Sequence, residues 1–216
     1  MHLKRQGVPK SWSVYRKGTK YLIRPSSDLD VGIPLLVVLR DMLKIVQNRK
    51  EAKRVIFLKS IHVNSRVPGD EKVPMVLFDT LSVIPAKKSY RLDISDSGKF
   101  ELRGISEAEA NKKPSKIINK KMLNGKKTQL NLWDGRNFLS KDKCNVNDSV
   151  LVNFREKKIE KHLPFKEGAN AVVFIGKHSG KRGSIESINS EKKTAELKTD
   201  KGEKVNVLIK QLMVTE

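Results

Sequence analysis

A glycine-rich basic loop, GKHSGKRG at residues 176–183, carries residue types that could bind phosphate. A phosphate-binding P-loop needs four residues between its first glycine and a Gly-Lys pair, followed by Ser or Thr. Here three residues separate Gly176 from Gly180, and Arg182 stands where the hydroxyl is required. No helical pattern follows, so the helix N-terminus that would hold a phosphate is missing. The loop therefore predicts phosphate contact through its Lys and Arg side chains, and it excludes nucleotide hydrolysis.

The histidines and the cysteine do not form a catalytic or metal-binding set. The four histidines, His2, His62, His162 and His178, show no metal-ligand spacing. Cys144 is the only cysteine, which excludes an internal disulfide, and no histidine lies near it in the sequence. The carboxylates are scattered, and none lies in an apolar context that would raise its pKa. The sequence predicts no enzyme, no cofactor, no metal and no small-molecule substrate.

Two predicted helices carry cations on one side. Apolar residues at helical spacing in the first are Leu35, Leu39, Met42, Leu43 and Val46, with Arg40, Lys44 and Gln47 on another face. The second, at about residues 50–58, directs Ala52, Val55 and Ile56 inward and Lys50, Lys53 and Arg54 outward. A predicted hairpin follows, with a strand at 61–63 and a turn at Asn64-Ser65. A buried face opposite a cationic one is typical of a surface that meets a polyanion.

The first 33 residues read as a basic arm that Gly and Pro keep from forming a helix. Its aromatic residues, Trp12, Tyr15 and Tyr21, lie among cations. Aromatic rings of this kind can stack on unpaired bases. A lone Trp in a loop can equally anchor the arm to the domain behind it, and both roles can hold at once. We expect the isolated arm to be disordered until it meets its partner.

Charge is the strongest global signal. The 216 residues carry a formal net charge of +21 with a pI near 10. Such an excess favours nucleic acid as the partner, since each neutralised phosphate releases a counterion, over a cationic surface that only confers solubility. Residues 1–60 are the most cationic, with 14 Lys and Arg against four Asp and Glu. No signal peptide is evident and the longest apolar run is too short to span a bilayer, which indicates a reducing, cytosolic compartment.

The second half of the chain reads as mostly β. Alternation at 90–94 and 100–103 around an Asp-Ser-Gly turn predicts a hairpin, Ser106 with Glu109 predicts a short helix start, and Asn124-Gly125 predicts a tight turn. A lysine cluster makes this part basic, and we favour phosphate contact over a merely solvated surface for it: Lys112, Lys113, Lys116, Lys120, Lys121, Lys126 and Lys127. Four or five short strands in residues 166–216 predict a small barrel with the glycine-rich loop at one end.

Three motifs in order resemble the S4e family of archaeal and eukaryotic small-subunit ribosomal proteins. The start His2-Leu3-Lys4-Arg5 with Pro9 and Trp12 resembles the family's N-terminal arm. The segment from Pro34 through Ile61-His62-Val63-Asn64 to Asp70 is similar to an S4-type RNA-binding domain, although Ser65 stands where the family commonly has glycine. Residues 172–185 resemble a KOW motif. The end at Glu216 resembles archaeal members rather than the longer eukaryotic ones.

The resemblance implies an α+β protein in four parts. These are a basic arm (1–33), a two-helix-plus-hairpin RNA-binding domain (34–85), a β-rich central domain (86–165) and an SH3-like KOW β-barrel (166–216). It implies a structural constituent of the small ribosomal subunit that binds and stabilises folded small-subunit rRNA and supports translation, next to neighbouring ribosomal proteins and away from membranes, in the cytoplasm. The alternatives are an accessory chain of an RNA-modification enzyme and a KOW-containing transcription factor.

The expected RNA-contacting residues lie in three segments. They are Lys4, Arg5, Lys10, Trp12, Arg16 and Lys17 in the arm; Arg40, Lys44, Arg49, Lys50, Lys53, Arg54 and Arg66 in the helical segment and its hairpin; and Lys177, His178, Lys181 and Arg182 in the glycine-rich loop.

Overall fold

A computed structural model describes residues 2–123, 127–140 and 143–215. Within these ranges the chain forms eighteen β-strands and two short α-helices, so it is a β-rich protein with few helices. Its contacts divide it into two compact units, an N-terminal unit of residues 1–111 and a C-terminal unit of residues 112–216. The finer four-part division of the chain stays a prediction.

The N-terminal unit contains eight short strands that pair antiparallel. They are β1 (Leu3–Lys4), β2 (Tyr21–Leu22), β3 (Gly32–Pro34), β4 (Ile61–Val63), β5 (Pro74–Val76), β6 (Thr80–Val83), β7 (Lys88–Ile94) and β8 (Phe100–Ile105). β1 pairs with β2, β3 pairs with β5, and the largest sheet has the order β4-β6-β7-β8. The hairpin predicted around residues 96–98 is confirmed, with Ile94 opposite Phe100. Because β7 also pairs with β6, this hairpin extends the sheet of β4 and β6.

The first helix is shorter than its apolar spacing predicts. Helix α1 (Leu35–Val37) continues as a π-helical segment (Val38–Met42) and ends there. The Leu43 amide donates to the Val38 carbonyl at 2.9 Å, and Lys44 then takes a left-handed φ of 55°. A left-handed residue ends a helix, and glycine is its usual carrier. The prediction that Lys44 shares a helical face with Arg40 is therefore wrong, and no glycine in the sequence marks this end.

The second helix, α2 (Arg49–Phe57), begins at a side-chain cap. Asn48 Oδ1 accepts a hydrogen bond from the Glu51 amide at 3.0 Å, and Glu51 Oε2 accepts one from the Gln47 amide at 2.7 Å. These reciprocal bonds satisfy amides that a helix N-terminus otherwise leaves unpaired. Ala52 and Ile56 are buried on the inner face, as predicted. The observed bounds lie within one residue of the predicted ones.

The tight turn after β4 is confirmed, and it uses two residues with positive φ. Asn64 has φ 51° and Ser65 has φ 61°. The amide and carbonyl of Val63 exchange hydrogen bonds with Arg66 at 2.8 and 3.0 Å, which closes a two-residue hairpin loop. Positive φ at both central positions is the geometry of a type I′ turn. Ser65 therefore occupies a conformation that glycine adopts at less cost, and the turn is kept without it.

The C-terminal unit contains ten strands in two antiparallel sheets. They are β9 (Lys112–Leu123), β10 (Lys127–Leu132), β11 (Asn137–Ser140), β12 (Ser149–Asn153), β13 (Lys158–Leu163), β14 (Asn170–Val173), β15 (Arg182–Asn189), β16 (Thr194–Thr199), β17 (Lys204–Leu208) and β18 (Leu212–Val214). One sheet has the order β11-β10-β9-β12-β13 and the other β17-β16-β15-β14-β18. Each has its own apolar core, the first including Cys144 and the second centred on residues such as Val173 and Leu197.

Two local predictions in the second half need comment. The helix start predicted at Ser106 and Glu109 amounts to one 3-10 turn, Glu109–Asn111, before β9 begins. The tight turn predicted at Asn124-Gly125 lies outside the described residues, as does Lys126.

The glycine-rich loop is shorter than its sequence suggests, because Arg182 and Gly183 belong to β15. A Cβ at position 183 would lie 1.9 Å from the Lys198 carbonyl oxygen on β16. Glycine is therefore required there for two strands to approach closely. A strand rather than a helix follows the loop, which agrees with the prediction that the loop is not a P-loop.

Candidate nucleic-acid interface

The N-terminal arm is folded onto its own unit rather than extended. β1 pairs with β2, and the Arg5 guanidinium closes the intervening loop. It donates to the Thr19 carbonyl at 2.7 Å, to the Tyr15 carbonyl at 2.5 Å and to Thr19 Oγ1 at 3.0 Å. Three hydrogen bonds from one side chain hold the loop in shape. Arg5, predicted to contact RNA, thus has a structural role that the sequence did not indicate.

Trp12 is an anchor and not a free stacking platform. Its side chain is 3% exposed. The arm is held beside β8 where the Phe100 amide donates to the Ser11 carbonyl at 2.7 Å and the Ser13 hydroxyl donates to the Phe100 carbonyl. A ring this buried offers no face to a base, so the prediction that Trp12 contacts RNA is corrected in favour of its anchoring role. The expectation of an arm disordered without its partner likewise finds no support in these contacts.

Tyr15 is the aromatic residue that the arm exposes. Its side chain is 77% exposed, and the exposed cations Arg16 and Lys17 follow it directly. Its backbone is fixed through the bond from Arg5 to its carbonyl. An exposed ring on a fixed loop beside cations fits stacking on an unpaired base. The sequence reasoning chose Trp12 instead, although two adjacent cations distinguished Tyr15.

The cations of α2 divide into paired and unpaired ones. Glu71, whose side chain is 1% exposed, accepts a 2.7 Å hydrogen bond from Arg49 Nε, and Lys53 Nζ lies 4.0 Å from the same carboxylate. Burial raises the pKa of Glu71, but its own backbone hydrogen bond and the Arg49 guanidinium outweigh burial and hold that pKa below its usual value. Glu71 therefore stays ionised and holds α2 to the loop before β5. Lys50 and Arg54 are exposed and have no such partner in the described part of the chain.

The remaining predicted cations of the N-terminal unit differ in availability. Arg40 makes two hydrogen bonds to the neighbouring Asp41, at 3.1 and 2.9 Å, and is partly buried. Lys44, beyond the end of the first helix, is exposed. Arg66, just after the turn, is exposed as well. Lys44 and Arg66 thus lie on loops that follow helix and turn, where their side chains can reach a partner.

The cationic side chains of the glycine-rich loop differ in exposure and in ion pairing. Lys177 is exposed, whereas His178 is partly buried. Lys181 Nζ lies 2.6 Å from Glu203 Oε2, and this hydrogen bond is the main cause that lowers the pKa of Glu203. Arg182 lies on β15 and is partly buried. Lys177 is therefore the member of the loop most available to a phosphate.

The lysine cluster of β9 does not form one surface. Lys113 is 2% exposed and pairs with Asp134 at 3.1 Å. Lys116 is also 2% exposed, and its Nζ donates to the Leu212 carbonyl at 2.7 Å and to that of Ile209. Phosphate contact by these two lysines is excluded by their burial. The strand beyond residue 117 is exposed, so the outer part of the cluster stays on the surface.

No group of three His, Cys, Asp or Glu side chains in the described ranges is placed to hold a metal ion. No helix there is long and apolar enough to cross a membrane.

Comparison with known proteins identifies the family. A sequence model of the ribosomal family S4e matches residues 86–159. The small ribosomal subunit protein eS4 of Methanocella arvoryzae is 36% identical over 197 residues, which make up 90% of this chain and 83% of that relative. The chain belongs to the S4e family. A second eS4 relative, from Archaeoglobus fulgidus, is 35% identical over 96% of this chain and 88% of its own length.

The fold of this S4e chain also matches a solved structure. The crystal structure of the S4e protein from Thermoplasma acidophilum superposes with a TM-score of 0.71 at 24% identity, covering 85% of this chain and 94% of that one. The S4e family that the sequence motifs indicated is confirmed by the two eS4 relatives.

Nine of the residues predicted to contact RNA in this S4e chain are exposed cations with no ion pair in the ranges that the structure describes. They are Lys4, Lys10, Arg16, Lys17, Lys44, Lys50, Arg54, Arg66 and Lys177. They lie on the arm, on α2 and its neighbouring loops, and on the glycine-rich loop. An exposed cation without an internal partner keeps its full charge for an external anion. Eight of them lie in the N-terminal unit and Lys177 lies in the C-terminal unit, and each unit's set is its own candidate interface.

Proposed function

We propose that this chain is a structural constituent of the small ribosomal subunit, where it binds and stabilises folded rRNA and thereby supports translation. The observation that carries the proposal is the set of nine unpaired cations on a chain of net charge +21, in a family whose curated relatives are small-subunit ribosomal proteins. Its partners are small-subunit rRNA and neighbouring ribosomal proteins, in the cytoplasm. The eS4 relatives are named as ribosomal proteins and not as enzymes. Their names support neither alternative, an accessory chain of an RNA-modification enzyme or a transcription factor.

We assign the segment 34–85 to an S4-type RNA-binding domain. Its support is the succession of α1, α2 and the β4 hairpin, with the apolar side of α2 inward at Ala52 and Ile56. On the outer side Lys50 and Arg54 are separated by one helical turn, so their side chains lie on one face. Two charges at this spacing suit adjacent phosphates of an RNA backbone.

We assign residues 166–216 to a KOW-type small barrel. Its support is the five-strand order β17-β16-β15-β14-β18 and the loop that connects β14 to β15. Gly176 and Gly180 have φ of 101° and 95° in that loop, which brings its backbone into a compact turn under Lys177. Lys177 supplies the charge, and the exposed Gly176 beside it has no side chain to keep a sugar-phosphate chain from the backbone.

Recognition should depend on shape and backbone more than on base sequence. The candidate residues are Lys and Arg, which bind phosphate and release counterions without reading bases. Folded RNA offers phosphates and 2′-hydroxyls on an irregular surface, which cations on separate elements can contact at several points. Cations on the arm, α2 and the glycine-rich loop would each add a share of affinity.

A salt titration tests this function. The Lys50→Ala, Arg54→Ala double variant should lower the slope of log affinity for small-subunit rRNA against log salt by about 1.4 to 1.8, since each lost phosphate contact removes about 0.7 to 0.9. The matched control is Lys192→Ala, Lys193→Ala, which removes two exposed lysines that lie outside the candidate interface. The control slope should stay within error of the parent. Equal slopes for all three proteins would contradict RNA contact by α2.

Sedimentation tests the ribosomal assignment separately. The protein should sediment with small subunits at low salt and be released at high salt. If it stays in the soluble fraction at low salt while subunits pellet, the assignment to the small subunit is wrong, whatever its affinity for isolated RNA.

A further inference from the structure

The outer end of α2 exposes an apolar patch that the RNA interface does not use. Phe57 is 85% exposed and Leu58 is 61% exposed. The inner face of the helix is filled by other residues, so Phe57 points away from the core of its own unit. Exposed side chains of this size in contiguity mark an interaction site more often than an ordinary surface.

The turn between β6 and β7 lies beside this end of the helix. The Ile84 amide donates to the Ser60 carbonyl at 2.9 Å, two residues after Leu58. Ile84 is 50% exposed, and Pro85 after it is exposed as well. We call Phe57, Leu58, Ile84 and Pro85 the apolar patch.

Lysines surround the apolar patch. Lys59 follows Leu58. Lys87 closes the β6–β7 turn, where its amide donates to the Ile84 carbonyl at 3.1 Å, and Lys88 begins β7. All three are exposed, and none has an ion pair in the part of the chain that the structure describes. The surface is thus apolar at its centre and cationic at its rim.

The chemistry of the centre favours a protein occupant over RNA. Phe57 carries the one aromatic ring of the apolar patch, whereas Leu58, Ile84 and Pro85 are aliphatic and cannot stack on a base. RNA presents phosphates and hydroxyls, and their desolvation by these aliphatic side chains is unfavourable. Protein interfaces combine an apolar centre with a polar rim. A rim of three lysines without an ion pair in the described ranges favours a partner that carries negative charge around its own apolar residues.

We propose that the apolar patch docks an acidic amphipathic segment of a neighbouring protein in the assembled small subunit. Apolar residues of the segment cover Phe57, Leu58 and Ile84, and its Asp and Glu side chains meet the lysine rim. The proposal rests on the proposed ribosomal function and adds to it a protein contact at a defined place.

Photocrosslinking in assembled subunits tests the contact. The probe is p-benzoylphenylalanine in place of Phe57, in protein incorporated into small subunits that are purified by sedimentation before irradiation. The matched position is Tyr15, another highly exposed aromatic residue in the same unit, which the proposed function places against RNA. The cross-linked peptide is identified by mass spectrometry.

The expected product from position 57 is a protein segment with acidic residues next to apolar ones, whereas position 15 should yield rRNA. The yield at position 57 should fall at least tenfold when Leu58→Asp and Ile84→Asp are added. A product with rRNA at position 57, a protein segment without acidic residues, or no product from properly assembled subunits would each overturn the proposal. Failure of the protein to enter subunits would instead contradict the proposed function, so the two outcomes are distinguishable.

Discussion

Replacing the buried Lys116 by Met should remove a pH-dependent part of the stability of the C-terminal unit. The lysine lies on β9, with its Nζ bonded to the carbonyls of Ile209 and Leu212. Burial lowers the pKa of Lys116 from 10.5 to about 8. Between these two values the folded protein releases a proton that the unfolded chain still binds.

The direction of the pH dependence follows from the difference between the pKa of Lys116 in the folded and unfolded states. Because the unfolded chain binds more protons between pH 8 and 10.5, the free energy of unfolding rises with pH across that window. Below about pH 8 both states hold the proton, and the folded protein carries the full cost of the buried charge. At about 1.36 kcal/mol per pH unit, the increase is at most about 3.4 kcal/mol. The two carbonyl acceptors favour the ammonium form and reduce the increase below this limit.

The two tryptophans allow each unit to be followed separately. Trp12 lies in the N-terminal unit and Trp133 in the C-terminal unit, so 5-fluorotryptophan labelling gives one ¹⁹F NMR signal for each. Urea titrations of the Trp133 signal at about pH 7, 9 and 10.5 give the free energy of unfolding. The difference between the parent protein and Lys116→Met should grow with pH in favour of the parent. Other lysines titrate in both proteins, and their effect cancels in this difference.

An exposed lysine on the same strand provides the control. Lys121→Met should shift the free energy of unfolding by a constant amount across the same pH range, because its side chain is exposed in both states. If the difference between the parent and Lys116→Met is also constant from pH 7 to 10.5, the reasoning from burial to a depressed pKa is refuted.

Three further changes test the N-terminal unit, a strained turn and the arm. Glu71→Gln should destabilise the N-terminal unit by about 2 kcal/mol, since it breaks a charge-assisted hydrogen bond to Arg49. Because the pKa of Glu71 is lowered in the folded state, the loss of stability should be complete above the unfolded-state pKa and should shrink as pH falls through the folded-state pKa. A pH-independent loss, measured by urea titration of the Trp12 signal, would contradict this prediction. Lys157→Gly should stabilise the C-terminal unit by about 0.5 to 1 kcal/mol, because Lys157 has a left-handed φ of 56° and glycine relieves this strain at some entropic cost. Lys157→Ala, the control, should not raise the free energy of unfolding measured by urea titration. In filter binding, Tyr15→Leu should lower the affinity for rRNA about fivefold or more without changing the salt dependence, whereas Tyr15→Phe should keep the parental affinity. A changed slope of log affinity against log salt, or an equal loss of affinity in both variants, would count against stacking.

Features set by neighbours in the chain were predictable. The tight turn at Asn64-Ser65, the hairpin around residue 97 and the bounds of α2 follow from turn residues, strand alternation and a cap, all of which act over a few positions. The end of the first helix was not predictable, because Lys44 takes a left-handed φ without being glycine and the apolar period runs past it to Val46. Local patterns locate an element more readily than its last residue.

The residue types that form the candidate site could be predicted from the sequence, but which residues of those types are exposed could not. Trp12 and Tyr15 look alike as aromatics among cations, yet contacts with β8 bury one and leave the other exposed. Lys113 and Lys116 look like the other lysines of β9, and only the packing of strands far away in the chain buries them. No periodicity within β9 carries that information.

Composition and order of motifs alone determine that the chain is cationic, β-rich and related to S4e proteins. These properties depend on residue types and short spacings, which the linear sequence displays in full. Tertiary structure decides which cations remain available to a partner. Glu71 reaches Arg49 across 22 residues and Glu203 reaches Lys181 across 22, and each pairing neutralises a charge that the sequence counts as free. Burial and ion pairing depend on distance in space, and only the folded chain sets that distance.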